Sequence, residues 1–573
     1  MFTTTVSDRI MDVLVRFGVR HVYGMPGDAI NDLIEAIRRR DDIQFIQVRH
    51  EEAGALAASA QAKLTGELAV CVGTSGGGAI HLLNGLYDAH MDNAPVLAIT
   101  GQVARAEMGF ESHQEVNSQK LFDDVAGFNA TVVSHEQVPS LIEQACQHAL
   151  THSGVSHLAL PEDVAGESLY RNHEVQLSRE TISDAGRQNA VPSSETIAQT
   201  LSTVEQASRP VILAGFGALS ARAELIEFAE KIQAGIIHSL RAKELLAEDH
   251  PLSLGGLGVL GSKAGQEAVE RCDLLITVGT DFPYKDYYPT GKATIVQINN
   301  DPTRFGRRSH VDIALSGDAK SSLVLLLKTL SGSKNRADKQ DFLKSLQGTM
   351  NKWRKQKNSL ESSKQEGSLN PKWVANELGK YADDDAVFVC DTGAVTAWAA
   401  KYLPMKSRQR FTLSANLGTM SFGFSGAMGA KLAYPNRQVI ALVGDGGFGM
   451  LMQDFLTAVK YKLPVKVIVF NNEKLGLIQM EQEAKGNPES QTALHNLDFA
   501  AFAKLCGGQG WSVKDSDQFA QALNEAMHTD APCVIDLSID PSYLVKPPKV
   551  ELGQAVKFSI AKVKEMFTVS EVQ

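Results

Sequence analysis

The sequence lacks the features that would place it outside an ordinary globular fold. Its 573 residues include six cysteines, Cys71, Cys146, Cys272, Cys390, Cys506 and Cys533, and no two of them form a CxxC pair. This spacing excludes a disulfide framework and a cysteine zinc site, and it fits a reducing, cytoplasmic compartment. No apolar run is long enough to span a membrane. The opening MFTTTVSDRIMDVLV reads as an amphipathic helix start, with Asp8 and Arg9 inside it, and not as a secretion signal. A basic excess is also missing. The net charge of -10 argues against a nucleic-acid partner. With 43% hydrophobic and 21% charged residues, the chain is too long for one core, and three domains are the natural division.

Apolar strands without strict alternation are separated by helices along the whole chain. Examples are HVYGM, LAVCV, PVLAIT, RPVILA, DLLITVG, ATIVQI and DAVFVC. Such strands belong to parallel sheets covered on both faces. The fold class is therefore α/β, with three doubly wound parallel-sheet domains. A polar stretch from about Arg171 to Glu195 reads as a linker. A Lys/Ser/Asn-rich stretch from about Gly332 to Asn370 contains an amphipathic helix and then a second linker. The boundaries are 1–175, 190–335 and 365–545, followed by a tail over 546–573. The first and last thirds share a strand, a glycine-rich loop (VGTSGGG, VGDGGFG), a helix and a strand, which suits two domains of similar fold.

One stretch organises the rest, Val439 to Asn472. An apolar strand turns at Gly444-Asp445-Gly446-Gly447, continues as a helix, and returns as a strand ending in Asn471-Asn472. This βαβ unit sets a carboxylate and a carboxamide on one sheet edge, beside a helix N-terminus. On residue types alone the pair is either a turn with ordinary Asp-Gly and Asn-Asn chemistry or a site for a divalent cation holding a diphosphate. Glu51 follows Arg49-His50 at a strand-to-helix junction. It is either a helix N-terminal carboxylate favoured by the dipole or a functional acid. His-Glu-Glu-Ala-Gly is not a zinc HExxH, because the fifth residue is Gly54.

Two segments decide between these readings. RHEEAGALAA with GELAVCVGTSGGGAIHLLNGLYDAHMDNAPVLAITGQ resembles the N-terminal domain of thiamine-diphosphate enzymes acting on 2-oxo acids. NLGTMSFGFSGAMGAKLAYPNRQVIALVGDGGFGM resembles their C-terminal domain. The nearest family is the pyruvate oxidases, including quinone-dependent pyruvate dehydrogenases that form acetate. The resemblance implies a thiamine-diphosphate-binding fold at both ends. Glu51 would hydrogen-bond the pyrimidine ring and favour the imino tautomer that removes the C2 proton. Mg2+ would be held by Asp445, Asn472 and the carbonyl of Lys474. Met420 would bend the cofactor, although on its own it reads better as an ordinary core methionine. Gln114 would face the substrate, with Leu477 and Glu481 as further catalytic candidates. Gly27, Asp391, Gly393, Gly418, Gly444, Gly446 and Gly447 would line the cofactor. The glutamate and the metal would come from different subunits of a homodimer or homotetramer.

The middle third carries Gly215-Phe216-Gly217 after a strand, a partial dinucleotide fingerprint. With Arg241, Lys243, Gly279, Asp281, Tyr284, Asn299, Asp301 and Asp318 it resembles the FAD-binding domain of pyruvate oxidases and acetolactate synthases. A flavin-free domain of the same fold, as in the decarboxylases, is the other reading. The implied reaction is oxidative decarboxylation of pyruvate through hydroxyethyl-thiamine diphosphate. Electrons pass to FAD and then to a quinone or oxygen, and water releases acetate. Phosphate release as acetyl phosphate with hydrogen peroxide, or an acetolactate-synthase-like carboligation, are the alternatives. Val259 stands where some phosphate-using oxidases carry arginine. His113, Leu477, Gly77 and Asn299 depart from the usual Phe, Phe, Pro and Asp of the family. This is either neutral drift or an altered 2-oxo acid preference. In the tail, Phe558, Ile560, Val563 and Phe567 can share a helical face, with Lys557, Lys562 and Lys564 elsewhere. Such a face suits either simple subunit packing or peripheral contact with the inner face of the cell membrane.

Overall fold

The structure, a computed structural model, describes residues 4–169, 191–330, 336–363 and 366–543. Most of the first polar linker and the whole tail lie outside these residues. Three six-stranded sheets carry the chain, and every strand pair within them is parallel. The first contains β1 His21–Gly24, β2 Gln44–Gln47, β3 Ala69–Gly73, β4 Val96–Gln102, β5 Phe128–Thr131 and β6 Val155–Pro161. The middle sheet contains β7 Pro210–Ala214, β8 Gly235–His238, β9 Ser253–Gly256, β10 Leu274–Val278, β11 Thr294–Asn299 and β12 Ile313–Ser316. The last contains β13 Val387–Cys390, β14 Arg410–Leu413, β15 Val439–Gly444, β16 Val465–Asn471, β17 Gln509–Val513 and β18 Cys533–Ser538. Central strands such as β3, β4 and β7 are buried along their whole length, which is why their sequences run apolar without alternation.

Strand order separates the domains by kind. The first sheet runs β2-β1-β3-β4-β6-β5 and the last runs β14-β13-β15-β16-β18-β17. Counted within each domain these orders are identical, as the shared loop pattern implied. The middle sheet runs β9-β8-β7-β10-β11-β12, the order of dinucleotide-binding folds, with its switch point between β7 and β10. The amphipathic helix expected after Gly332 spans Arg336–Asn358. It buries Phe342, Leu346 and Met350 in a core cluster of the middle domain.

Two helices differ from the sequence reading. The segment after the first glycine-rich loop is two helices, Gly77–His81 and Leu83–Met91. The helix after Gly444 is also broken: Asp445–Leu451 gives way to a 3-10 turn over Met452–Asp454 and resumes at Phe455–Lys460. The break turns the Asp454 side chain back toward the N-terminal domain.

The terminal domains dock through three helices: α1 Glu51–Thr65, α2 Leu83–Met91 and α3 Phe422–Ala433. In α1 every residue from Ala53 to Leu64 is buried. Small side chains let the backbones touch. A Cβ on Gly429 would lie 2.1 Å from the Ala57 carbonyl oxygen, and one on Gly85 would lie 2.5 Å from Ala55. Lys63 of α1 closes the junction with Asp88 at 2.7 Å and Asp92 at 2.6 Å. It also donates to the Leu413 carbonyl at 3.1 Å. Arg241 of the middle domain approaches Asp92 at 3.5 Å, so one buried cluster joins all three domains. Burial works against the Asp92 carboxylate, but Lys63 and Arg241 outweigh it and hold its pKa below the usual value.

Candidate active site

The C-terminal edge of the last sheet is built from glycines and buried acids. Asp391 follows β13 and is fully buried. Its Oδ1 accepts from the Thr392 N–H at 2.9 Å. Burial raises its pKa to about 7, while main-chain N–H groups of Thr392, Ser421, Phe422 and Gly423 pull it down. Its Oδ2 has no hydrogen-bond partner among the described residues. That atom lies 2.0 Å from where a Cβ on Gly447 would sit, so only glycine fits there. Around this acid the backbone is open. A Cβ on Gly393 (φ 134°) or on Gly444 would meet nothing within 4 Å, and one on Gly418 (φ 69°) would meet only the Thr392 methyl at 4.0 Å. Gly446 is roofed by apolar atoms: Leu475 at 2.9 Å, Met420 at 3.2 Å and Leu494 at 3.3 Å from its Cβ position.

Asp445 opens the helix Asp445–Leu451 and is 2% exposed. Asn496 donates to its Oδ2 at 2.8 Å. Burial raises its pKa to about 6; the Asn496 amide and the N–H groups of Gly446 and Glu473 act against that. The segment from Asn472 to Leu475 is pinned beside it. Glu473 takes φ 56°, Leu475 N–H donates to the Thr492 carbonyl at 2.8 Å, and Leu494 N–H donates to Glu473 at 2.8 Å. Asn471 is committed elsewhere, donating to Asp536 at 3.0 Å and accepting from Asn496 at 3.1 Å. The half-buried Asn472 is the carboxamide left to a ligand. A desolvated carboxylate, a carboxamide oxygen and a main-chain carbonyl form a hard oxygen donor set, which fits Mg2+. The open glycine backbone beside them fits a diphosphate. Asn496 had no sequence signal; it reaches the site only because the strap after Glu489 folds back.

Glu51 is the first residue of α1 and is 6% exposed. His50 caps the helix, accepting from the Glu52 N–H. The Glu51 carboxylate meets His81 Nδ1 at 2.9 Å and stands 3.0 Å from the Cβ position of Gly78. His81 in turn stacks on His50, with ring centres 4.3 Å apart. The flanking residues face the other way. Glu52 accepts from Asn84 at 2.6 Å, and Asn84 donates to the Thr419 hydroxyl at 2.9 Å, next to Met420. Arg49 N–H donates to Asp454 at 2.7 Å. Glu51 thus contacts its own domain, while Arg49 bonds Asp454 and Glu52 is linked through Asn84 to Thr419 of the C-terminal domain. His81, Asn84 and Asp454 join this arrangement through space, and no spacing in the sequence announced them.

Gln114 takes φ 61° and packs on Gly76, whose Cβ would come within 3.0 Å of its carbonyl. Ser75 donates weakly to Gln114 at 3.4 Å. Gly27 lies against Thr74, 2.4 Å from Cβ position to Cβ. Leu477 is half-buried and Glu481 exposed, both on the helix Gly476–Ala484.

In the middle domain the loops after β7 and β10 meet backbone to backbone at the switch point. Gly217 N–H donates to the Gly279 carbonyl at 3.0 Å, and a Cβ on Gly279 would lie 2.5 Å from Gly217. Asp281 pairs with Arg308 at 3.2 Å. Tyr284 is 54% exposed and edges onto Phe282. Asn299 is buried and accepts from the Asp301 N–H, and Asp301 pairs with Arg304 at 3.0 Å. Three candidates are engaged elsewhere. Arg241 stacks on Phe216 and faces Asp92. Lys243 donates to Ala400 of the C-terminal domain, and Asp318 caps the helix Ala319–Thr329.

Family models match all three domains. Residues 4–126 match the N-terminal TPP-binding domain of thiamine pyrophosphate enzymes, 197–326 their central domain, and 391–537 their C-terminal TPP-binding domain. The chain belongs to the thiamine pyrophosphate enzyme family. YdaP of Bacillus subtilis, provisionally named a thiamine pyrophosphate-containing protein, is 43% identical over 566 residues, 98% of this chain and 96% of the relative. A pyruvate oxidase of Lactiplantibacillus plantarum is 34% identical over 582 residues, covering 98% and 94%. The acetolactate synthase large subunit of Parasynechococcus marenigrum is 33% identical over 580 residues, covering 97% and 91%.

When bound, thiamine diphosphate supplies the carbon nucleophile and the electron sink for decarboxylation. Asp445, Asn472 and the Lys474 carbonyl would hold its metal, and the backbone at Gly393, Gly418 and Gly444 would leave room for its diphosphate. Met420, Leu475 and Leu494 would form an apolar wall beside it. Glu51, held in place by His81 at 2.9 Å, would offer its carboxylate to a ring nitrogen of the cofactor.

Proposed function

We propose that the protein oxidatively decarboxylates pyruvate. Pyruvate and water become acetate, carbon dioxide, two protons and two electrons; FAD takes the electrons and passes them to a quinone or oxygen. The observation that carries this reading is the middle sheet. Its β9-β8-β7-β10-β11-β12 order, with Gly215, Gly217 and Gly279 meeting at the switch point, is the architecture that binds dinucleotides. Similarity to a pyruvate oxidase across nearly the whole chain supports the substrate. Val259, at the position of an arginine in some phosphate-using oxidases, favours water over phosphate as the acetyl acceptor. The working unit is a homodimer or a homotetramer made of two such dimers, with Glu51 serving the cofactor held by the other subunit. The tail would contact membrane lipids peripherally, where quinones reside.

Similarity to acetolactate synthases favours a second reading, a carboligase in which FAD is bound but not reduced. Anaerobic mixing with pyruvate separates the two. The oxidase loses its flavin absorbance within the time of one turnover and regains it on adding quinone or oxygen. A flavin that stays oxidised while acetolactate accumulates would establish the carboligase.

A further inference from the structure

The seam between the middle and C-terminal domains holds a cation that the chemistry above leaves unused. Lys243 follows β8 and is 5% exposed. Its Nζ donates to the Ala400 carbonyl at 3.0 Å, its one partner among the described residues. An ammonium has three N–H groups, so two remain unspent. They border a cavity of about 30 Å³, walled also by His238, Ser262, Trp353, Lys401 and Met405. By volume this holds roughly two waters or one small ion.

No carboxylate among the described residues lies within salt-bridge distance of Lys243. Glu248 is also in the wall, but Lys357 takes it at 2.8 Å. His238 Nδ1 lies 3.0 Å from the Ser239 carbonyl, so that nitrogen donates and Nε2 carries the lone pair. Burial holds His238 neutral, with its pKa down at about 4. Burial also lowers Lys243 to about 8 against the pull of Glu248, with Lys357 adding to the lowering. Lys401, lowered to about 8 by burial and by Lys372, brings a second ammonium to the same wall. Water can satisfy the spare donors of Lys243 but does not neutralise it. An oxyanion does both.

We propose that this cavity binds a small oxyanion, a carboxylate or a phosphate, with Lys243 of the middle domain as its principal donor and Lys401 as the second. The site is separate from the cofactor edge, but it is mechanically close to it. Lys401 and Ala400 lie on the helix Ala394–Tyr402, which begins three residues after Asp391. An anion there pins the flavin-type domain to the helix under the thiamine diphosphate cleft, so its occupancy stiffens the relation between the two halves of the reaction.

The test uses protein loaded with thiamine diphosphate, Mg2+ and FAD, so that neither the diphosphate cradle nor the flavin loops can take the probe. Inorganic phosphate and, separately, acetate are titrated at constant ionic strength made up with chloride, following the thermal midpoint. Either probe should raise the midpoint of the wild type saturably, and the one that does so identifies the source. Lys243→Met should weaken the apparent affinity at least about tenfold, and Lys243→Arg should keep it within about threefold. Should Lys243→Met fail to fold, Lys401→Met decides the matter by the same loss of affinity. A response no different from chloride, or one unchanged in the lysine-to-methionine variants, overturns the proposal and leaves a cavity that holds only water.

Discussion

Asp454 shows how a single buried acid carries structural information that its sequence position hides. Its Oδ1 accepts from Arg49 N–H at 2.7 Å and from the Thr457 hydroxyl at 2.9 Å, while Oδ2 has no partner among the described residues. Burial raises its pKa to about 6, against these donors and Arg49. The unfolded value is 3.8, so between about pH 4 and 6 the folded state holds the extra proton. Stability contributed by this group therefore falls as pH rises through that window and is flat above it. Asp454→Asn keeps the shape and both contacts but cannot titrate. The stability of the variant relative to the wild type should rise from pH 4 to pH 6 in denaturant titrations, then level off. The glycines at the cofactor edge give a sharper contrast. Gly447→Ala drives a methyl to 2.0 Å from a buried carboxylate oxygen, whereas Gly446→Ala meets the flexible ends of Leu475, Met420 and Leu494. The first should cost about 1–3 kcal/mol and weaken thiamine diphosphate binding, and the second should cost much less. Thermal midpoints with and without cofactor would rank them.

At the level of elements, the strands that cross the sheet centres were plain in the sequence because both their faces are buried. Three edge strands were not: β5 (FNAT), β9 (SLGG) and β17 (QGWSV) lack an apolar run and are held by register with a neighbour. Helix breaks at Leu82 and over Met452–Asp454 were hidden too; at the second, the Asp454 side chain accepts from Arg49 N–H of the N-terminal domain. The site followed the same division. Asp445, Asn472, Glu51 and the glycines sit in local turns whose chemistry has a sequence pattern. Asn496, Asn84 and His81 arrive from distant segments and have none. The Ala/Gly composition of α1 and α3 was visible, but its purpose was not. Gly429 exists because the Ala57 carbonyl passes 2.1 Å from its Cβ position. Gly429→Ala should destabilise the docking of the terminal domains by about 1–3 kcal/mol. Faster limited proteolysis at the domain junction, with the secondary structure intact by circular dichroism, would register it.

For the whole molecule, the informative feature is where the contacts of Arg49, Glu51 and Glu52 lead. Arg49 and Glu52 are tied to their own C-terminal domain through Asp454 and through Asn84 and Thr419, whereas Glu51 turns to His81 and away from those ties. This geometry fits a glutamate that serves the partner's cofactor while its flanks brace the chain's own cofactor loop at Met420. Subunit mixing tests the arrangement directly. Glu51→Gln and Asp445→Asn should each be nearly inactive as pure assemblies, the first retaining thiamine diphosphate binding and the second losing it. In a mixed dimer, a cross-subunit site design places both lesions in one site and leaves the other site intact. Random reassociation of equal amounts should then recover about a quarter of the wild-type activity, since half the dimers are mixed and each has one good site. A same-subunit site would give one lesion per site and no recovery at all. Activity measured after reversible dissociation, with re-formed dimers verified by sedimentation, distinguishes the two outcomes.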